Sequence, residues 1–328
     1  RINNNNELTI SQIKKYTLSE KNKDYNAYSI KKLIDNVLDN YESYRIKNEI
    51  KNSINFYYDI NKHKQILNEY KDVIEKDYDV NIEALNYENN LESTKIINNK
   101  TKEEVKETSR SVDGQDLTKQ DLIITSSFYF NYEWSDSFKS KDIVVEDFYG
   151  NKEATSVEMM YSSENTYLEN ANAYGFIKDF ENEKYSFIGI LPKKEEDFTL
   201  SSLDIDSLIK NPKNKKIIIG LPKISYENKI DVKELLKNYN ITDIYSKEAN
   251  FTKITDDNIY ISQMIQNTKI DISEKGTEKT EIESSSIETI VEDEELQKVI
   301  LNRPFAFLIV EKETKDVLLI GKVTNIEE

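Results

Sequence analysis

The chain has 328 residues, 32% of them charged, with a net charge of −16 and no cysteine. That charge disfavours nonspecific nucleic-acid binding, since no basic stripe offsets phosphate repulsion, and the missing cysteine excludes disulfides, thiol catalysis and Cys-based metal sites. No apolar run reaches the roughly 18 residues that a membrane-spanning helix needs.

The first third reads as mainly helical. Tyr28, Ile30, Leu33, Ile34, Val37 and Leu38 recur at three- and four-residue spacing and predict a helix with one apolar face. Ser53–Ile60 (SINFYYDI) is rich in β-branched and aromatic residues and predicts a strand. A second helix follows over His63–Lys76, a short strand over Val80–Leu85 and a further amphipathic helix over Leu91–Val105. From Leu122 onward strands dominate. LIITSSFYF (Leu122–Phe130) is a near-continuous apolar run, as expected of a strand covered on both faces. Ile143–Phe148, Thr166–Leu168, Ala173–Lys178, Tyr185–Leu191 and Lys216–Leu221 are the next predicted strands, then a helix over Val232–Tyr239. Strands over Ile259–Ile272, Phe305–Val310 and Val317–Val323 complete the chain, the last two joined by a short polar turn. Helices first and strands later, without a Gly/Pro/Ser-rich linker, indicate a single α+β domain over residues 1–328.

Few residues suggest enzyme chemistry. His63, the only histidine, stands between Lys62 and Lys64 and reads as a surface residue, so a His-dependent hydrolase is not expected. Seven glycines contain no phosphate-binding fingerprint. The run Glu292–Glu295 lacks the spaced ligands and turn glycine of a calcium loop and reads as a solvated charge run. Three Asn-X-Thr triplets, at Asn99, Asn240 and Asn250, carry little weight in a chain this rich in Asn. No cofactor and no metal is implied.

The most informative stretch runs from Glu274 to Phe305, about thirty mostly polar residues between two predicted strands. Segments of that length without their own structure are usually functional or disordered. Its flanks, and motifs placed before it, resemble the serpin family from about Ser53 to Ile326. Tyr129-Phe130, Trp134 and Phe138 are similar to the family's Y-F-x-x-x-W-x-x-x-F segment, and Met159-Met160 to its paired methionines. Ser186–Pro192 resembles S-M-x-I-x-L-P, Leu221-Pro-Lys-Ile224 resembles L-P-K-F, and Ala249–Ile254 resembles A-D-F-S-G-I. Glu274-Lys-Gly-Thr-Glu278 is similar to the hinge E-E-G-T-E, and Arg303-Pro-Phe305 with Gly321-Lys-Val323 to the closing R-P-F…G-R-V.

The resemblance implies a serpin fold, with a large mixed sheet, two smaller sheets and surrounding helices. It also implies a monomer that acts on a target protease, usually outside the cell or in a secretory compartment although the family has intracellular members, without nucleic acid or membrane. Residues 274–303 would be the reactive-centre loop, cleaved by the protease and then inserted into the main sheet. The family register counted from Gly276 puts the reactive bond at Ile290–Val291, with slippage to Glu292 or Asp293 as the alternative, and leaves 14 residues, Val291–Pro304, for the return. The hinge would comprise Glu274, Gly276, Thr277, Glu278, Lys279 and Glu281, and the sheet-opening region Trp134 and Gln266. Two departures stand out. Arg1–Leu18 does not supply the two long helices and strand with which serpins begin, so the start reads as truncated, processed or lacking those elements. Gln266 occupies a position where the family commonly has His.

An inserted strand points alternate residues inward. In the family register these are Thr277, then Lys279, Glu281 and Glu283, where inhibitory serpins carry small residues. Burying unpaired charge costs several kcal/mol, which favours slow insertion. Two readings therefore stand: a suicide-type inhibitor of a serine or cysteine endopeptidase, and a non-inhibitory serpin-fold protein.

Overall fold

The computed structural model describes residues 50–326 apart from 63–65, 67, 78–79, 106–111, 113, 182, 195–197, 239, 253 and 278–295. The predicted helix over Tyr28–Leu38, the N-terminal departure and His63 lie outside the described residues. Thirteen strands are described. β1 is Ile50–Asp59, β2 Val80–Leu85, β3 Leu122–Phe130, β4 Ile143–Tyr149 and β5 Ala154–Glu169. β6 is Ala173–Asp179, β7 Tyr185–Pro192, β8 Lys213–Pro222 and β9 Ile224–Asp231. β10 is Ile261–Ile272, β11 Gln297–Ile300, β12 Phe305–Glu311 and β13 Val317–Val323. The helices are α1 (Asn68–Asp77), α2 (Asn90–Val105), α3 (Ile205–Lys210) and α4 (Val232–Lys237).

Two compact units are present. The first draws its described residues from Asn26–Phe130 and Glu227–Ile270. It holds a mixed sheet of five strands in the order β2-β1-β3-β10-β9. Alternation in β1 sends Ile54, Phe56 and Tyr58 to one face, against Leu122, Ile124 and Ile261. Tyr57 and Ile123 point to the other face, against Ile97, Tyr87 and Leu117. α2 covers that second face because Ser93, Ile97 and Thr101 recur every four residues and are all buried. β3 and β10 run parallel, from Ile261 opposite Leu122 to Lys269 opposite Tyr129.

The second unit draws from Asn131–Tyr226 and Asp271–Glu328. Its sheet has eight strands, β11-β8-β5-β6-β7-β12-β13 with β4 paired to β5. The two smaller sheets expected from the sequence run together here, because β5 is 16 residues long. β4 pairs with Ala154–Met160 of β5, β8 with Met159–Tyr167 and β6 with Tyr167–Glu169. All eight residues of β7 are buried, which accounts for its unbroken apolar run. Leu200, Leu203 and Leu208 close the core over Ile188, Ile190 and Leu308.

The predicted Thr166–Leu168 strand is the tail of the much longer β5. β9, β11 and α3 are found where no element was predicted, and α4 ends at Lys237, short of Tyr239.

Candidate functional site

The site forms where the chain leaves β10, within the second unit. Asn131–Phe138 follows β3 and carries three aromatic residues, Tyr132, Trp134 and Phe138, each at most 5% exposed. Trp134 stacks on Phe180 with ring centroids 4.6 Å apart and an interplanar angle of 11°. Phe138 and Phe187 meet the indole edge-on, at 6.1 and 5.8 Å. Burying an indole in this way leaves its N–H in need of a partner. Nε1 donates to the Ser273 carbonyl at 2.8 Å. The backbone N–H of Trp134 donates to the Lys275 carbonyl at 2.7 Å, and that of Phe138 to the Glu274 carbonyl at 2.9 Å. Three consecutive carbonyls at the end of β10 are thus held by one short aromatic segment.

The chain reverses immediately afterwards. The N–H of Ser273 donates to the Gly276 carbonyl at 2.8 Å, and Gly276 forms an isolated antiparallel bridge with Glu133. Gly276 has φ 152°, and a Cβ there would lie 2.0 Å from the Tyr132 carbonyl oxygen and 2.6 Å from Glu133 Cα. Only glycine allows so close a backbone approach. Thr277, fully buried, is bound three times to Tyr132, once through its Oγ1 donating to the Tyr132 carbonyl at 3.3 Å. Its N–H donates to the Tyr132 carbonyl at 2.9 Å, and its Oγ1 accepts from the Tyr132 N–H at 2.8 Å.

Glu274 is 2% exposed, and its carboxylate accepts no hydrogen bond among the described residues. Its compensation is Lys223, whose Nζ lies 3.1 Å from Glu274 Oε2 and 3.1 Å from Glu158 Oε2. A buried carboxylate without such a cation would be strongly destabilising.

Of the residues singled out in the sequence, the structure brings together Trp134, Glu274, Gly276 and Thr277. Gln266 belongs to the first unit, half-buried on β10 opposite Ser126 of β3. Glu278, Lys279, Glu281, Glu283, Ile290 and Val291 lie outside the described residues. Tyr132, Lys223 and Ser273 belong to the site but were not predicted for it. The available signal for Lys223 was its place in the Leu-Pro-Lys motif. For Tyr132 and Ser273 there was none, since both act through backbone groups. Among the described residues no cluster of three acidic or histidine side chains is placed to hold a metal, and no helix is long and apolar enough to cross a membrane.

Known proteins match this arrangement. The serpin (serine protease inhibitor) family model covers residues 3–326. Intracellular coagulation inhibitor 2 of Tachypleus tridentatus is 27% identical over 215 residues, 62% of this chain and 53% of that protein. Human serpin B4 is 25% identical over 276 residues, 80% of this chain and 71% of its own length. The chain therefore spans about half to seven tenths of these relatives. The crystal structure of the thermophilic serpin tengpin in its native state superposes with a TM-score of 0.74 at 25% identity, covering 85% of this chain and 75% of tengpin. With nearly every residue inside the family model, the chain belongs to the serpin family.

Proposed function

We propose that this serpin is a suicide-type inhibitor of a serine or cysteine endopeptidase, working as one monomeric domain outside the cell or in a secretory compartment. One observation carries the reading. β10 runs parallel to β3, whereas Gly276, four residues past its end, already pairs antiparallel with Glu133. A strand added between two parallel neighbours must run opposite to both to pair in antiparallel fashion with each. The chain reverses its sense at the point from which such a strand would start.

In this reading the protease attacks the carbonyl carbon of Ile290. The Ile290–Val291 amide breaks, an ester or thioester forms on the enzyme, and the Val291 amine leaves with the proton. The freed segment from Thr277 onward enters the main sheet and gains a hydrogen-bonded neighbour on each side. It carries the acylated protease with it before water can hydrolyse the acyl bond. Glu274, Gly276, Thr277, Glu278, Lys279 and Glu281 act as the hinge, and Trp134 and Gln266 belong to the region that yields. The names of the relatives support the class, one being a coagulation inhibitor.

A second reading is favoured by the loop's own residues. Lys279, Glu281 and Glu283 fall at alternate positions after Thr277, and each would bring charge into the sheet. If insertion is slower than deacylation, the protein is cleaved and released, a serpin-fold substrate or binding protein. Incubation with a protease panel separates the two. A complex that survives denaturing gel electrophoresis, with cleavage mapped to Ile290–Val291, supports inhibition. Clean cleavage, with no complex and no rise in melting temperature, refutes it.

A further inference from the structure

Lys178 of β6 lies in the core of the second unit with 2% of its side chain exposed. Its ammonium donates to Glu164 Oε1 at 2.7 Å, an oxygen that also accepts from Ser162 Oγ at 2.9 Å. The same ammonium stands 4.5 Å from the ring centroid of Phe138 and 5.7 Å from that of Trp134. These two residues supply three N–H groups that hold the carbonyls of Ser273, Glu274 and Lys275. A cation withdrawn from water is drawn to aromatic rings by their quadrupole, and more strongly than an exposed one. The withdrawal itself is unfavourable and needs Glu164 as counter-ion. An aliphatic side chain would fill the same space without that penalty, so simple packing does not account for a lysine here.

We infer that Lys178 is a positioning residue of the hinge. Its ammonium, fixed by Glu164, holds the rings of Trp134 and Phe138 in the orientation that aims their N–H groups at residues 273–275. As a control on loop insertion this rests on the inhibitor reading; as a lock on the two rings it is a property of the folded chain. In this role Lys178 acts on residues 273–275 through the aromatic pair.

The chain has a single tryptophan, so its emission reports this site alone. The test uses the full chain without protease and compares the parent with Lys178→Met, which keeps length and apolar bulk but removes charge, and Lys178→Arg, which keeps charge. In Lys178→Met we expect red-shifted Trp134 emission, greater quenching by acrylamide, and amide exchange at Trp134 and Phe138 faster by about tenfold, the signature of local opening. Lys178→Arg should restore all three. Parent-like emission and exchange in a folded Lys178→Met protein would overturn the inference, as would failure of the arginine to restore them. Should Lys178→Met not fold, Glu164→Gln decides: increased quenching and exchange support the lock, and parent behaviour refutes it. A chain that forms no complex with any protease removes the inhibitor reading while leaving these measurements to stand.

Discussion

Gly276→Ala tests the reversal at the hinge directly. An alanine Cβ would lie 2.0 Å from the Tyr132 carbonyl oxygen and 2.6 Å from Glu133 Cα, both backbone atoms that cannot swing aside. Overpacking typically costs about 1–3 kcal/mol, and holding a non-glycine residue in a sparsely populated backbone region costs about 1–3 kcal/mol more. Against this stand five hydrogen bonds: Thr277 N–H and Oγ1 to the Tyr132 carbonyl, Tyr132 N–H to Thr277 Oγ1, and Ser273 N–H and Oγ to the Gly276 carbonyl. At about 1 kcal/mol each they contribute about 5 kcal/mol, so the clash is of the same order as what holds this reversal in place. The substituted hinge should therefore detach rather than adjust, raising its open population by roughly a hundredfold. Hydrogen exchange read by mass spectrometry over Asn131–Phe138 and Asp271–Thr277 would show it. Exchange of Tyr132 and Thr277 should rise together, while β7, at the centre of the sheet, stays protected. Parent-level protection at both residues would mean that the backbone absorbs the Cβ, and the argument from close approach would fail.

Lys223→Met strips Glu274 of its cation, and breaking a buried pair costs about 3–5 kcal/mol, with the lower figure fitting a lysine that is 17% exposed; denaturant unfolding should show most of the loss recovered in Lys223→Met/Glu274→Gln. Asp142 is 3% exposed with Oδ1 unbonded, and burial raises its pKa above the ordinary 3.8 despite Lys141 and Lys139. Its ionised form is thus disfavoured in the folded chain. The penalty is absent below the ordinary value, grows as pH rises toward the raised one, and is full above it. Asp142→Asn should accordingly melt higher than the parent at neutral pH and lose that advantage in acid, as thermal scans across pH would register. Replacing Lys279, Glu281 and Glu283 by Ala removes the charges that insertion would bury, and should speed insertion by at least about tenfold if even one costs 1.4 kcal/mol in the rate-limiting step. The ratio of complex to cleaved product reads this, and an unchanged ratio would place the barrier elsewhere.

Much of the fold was legible because many strands here report their surroundings. β3, β7 and β12 are covered on both faces and read as near-continuous apolar runs. α2 showed its buried stripe. β5 was reduced to its tail because Glu158, Ser162, Ser163 and Glu164 interrupt the apolar pattern in the middle of the strand. β11 has four residues, and only Val299 is buried; its parallel pairing with β8 makes it a strand, a contact between distant parts of the chain. The site divides in the same way. Gly276 and Trp134 stood out as rare residue types in marked positions. What Trp134 does was hidden, because periodicity gives the buried side of an element and not the carbonyl that a donor will meet. Lys178 was read as the end of a strand and Lys223 as part of a motif, and neither burial nor partner followed from spacing.

On the inhibitor reading, the bonds to Trp134 and Phe138 separate the part of the proposed hinge that stays from the part that would move. Their acceptors are the carbonyls of residues 273–275, on the β10 side of the reversal. Past the reversal, Gly276 and Thr277 are tied to Tyr132, Glu133 and Ser273. A loop segment that continues beyond Thr277 can therefore enter a sheet without breaking the aromatic grip, which would act as a fixed pivot. Thr277 already has its hydroxyl satisfied in a buried site, so the first inward position adds no unpaired polar group. The expense falls on the next alternate positions, Lys279, Glu281 and Glu283. On the inhibitor reading, release of Gly276 and Thr277 from Tyr132 and burial of those charges are then separable barriers. Gly276→Ala should alter the first and leave the second in place, whereas the alanine replacements should do the reverse.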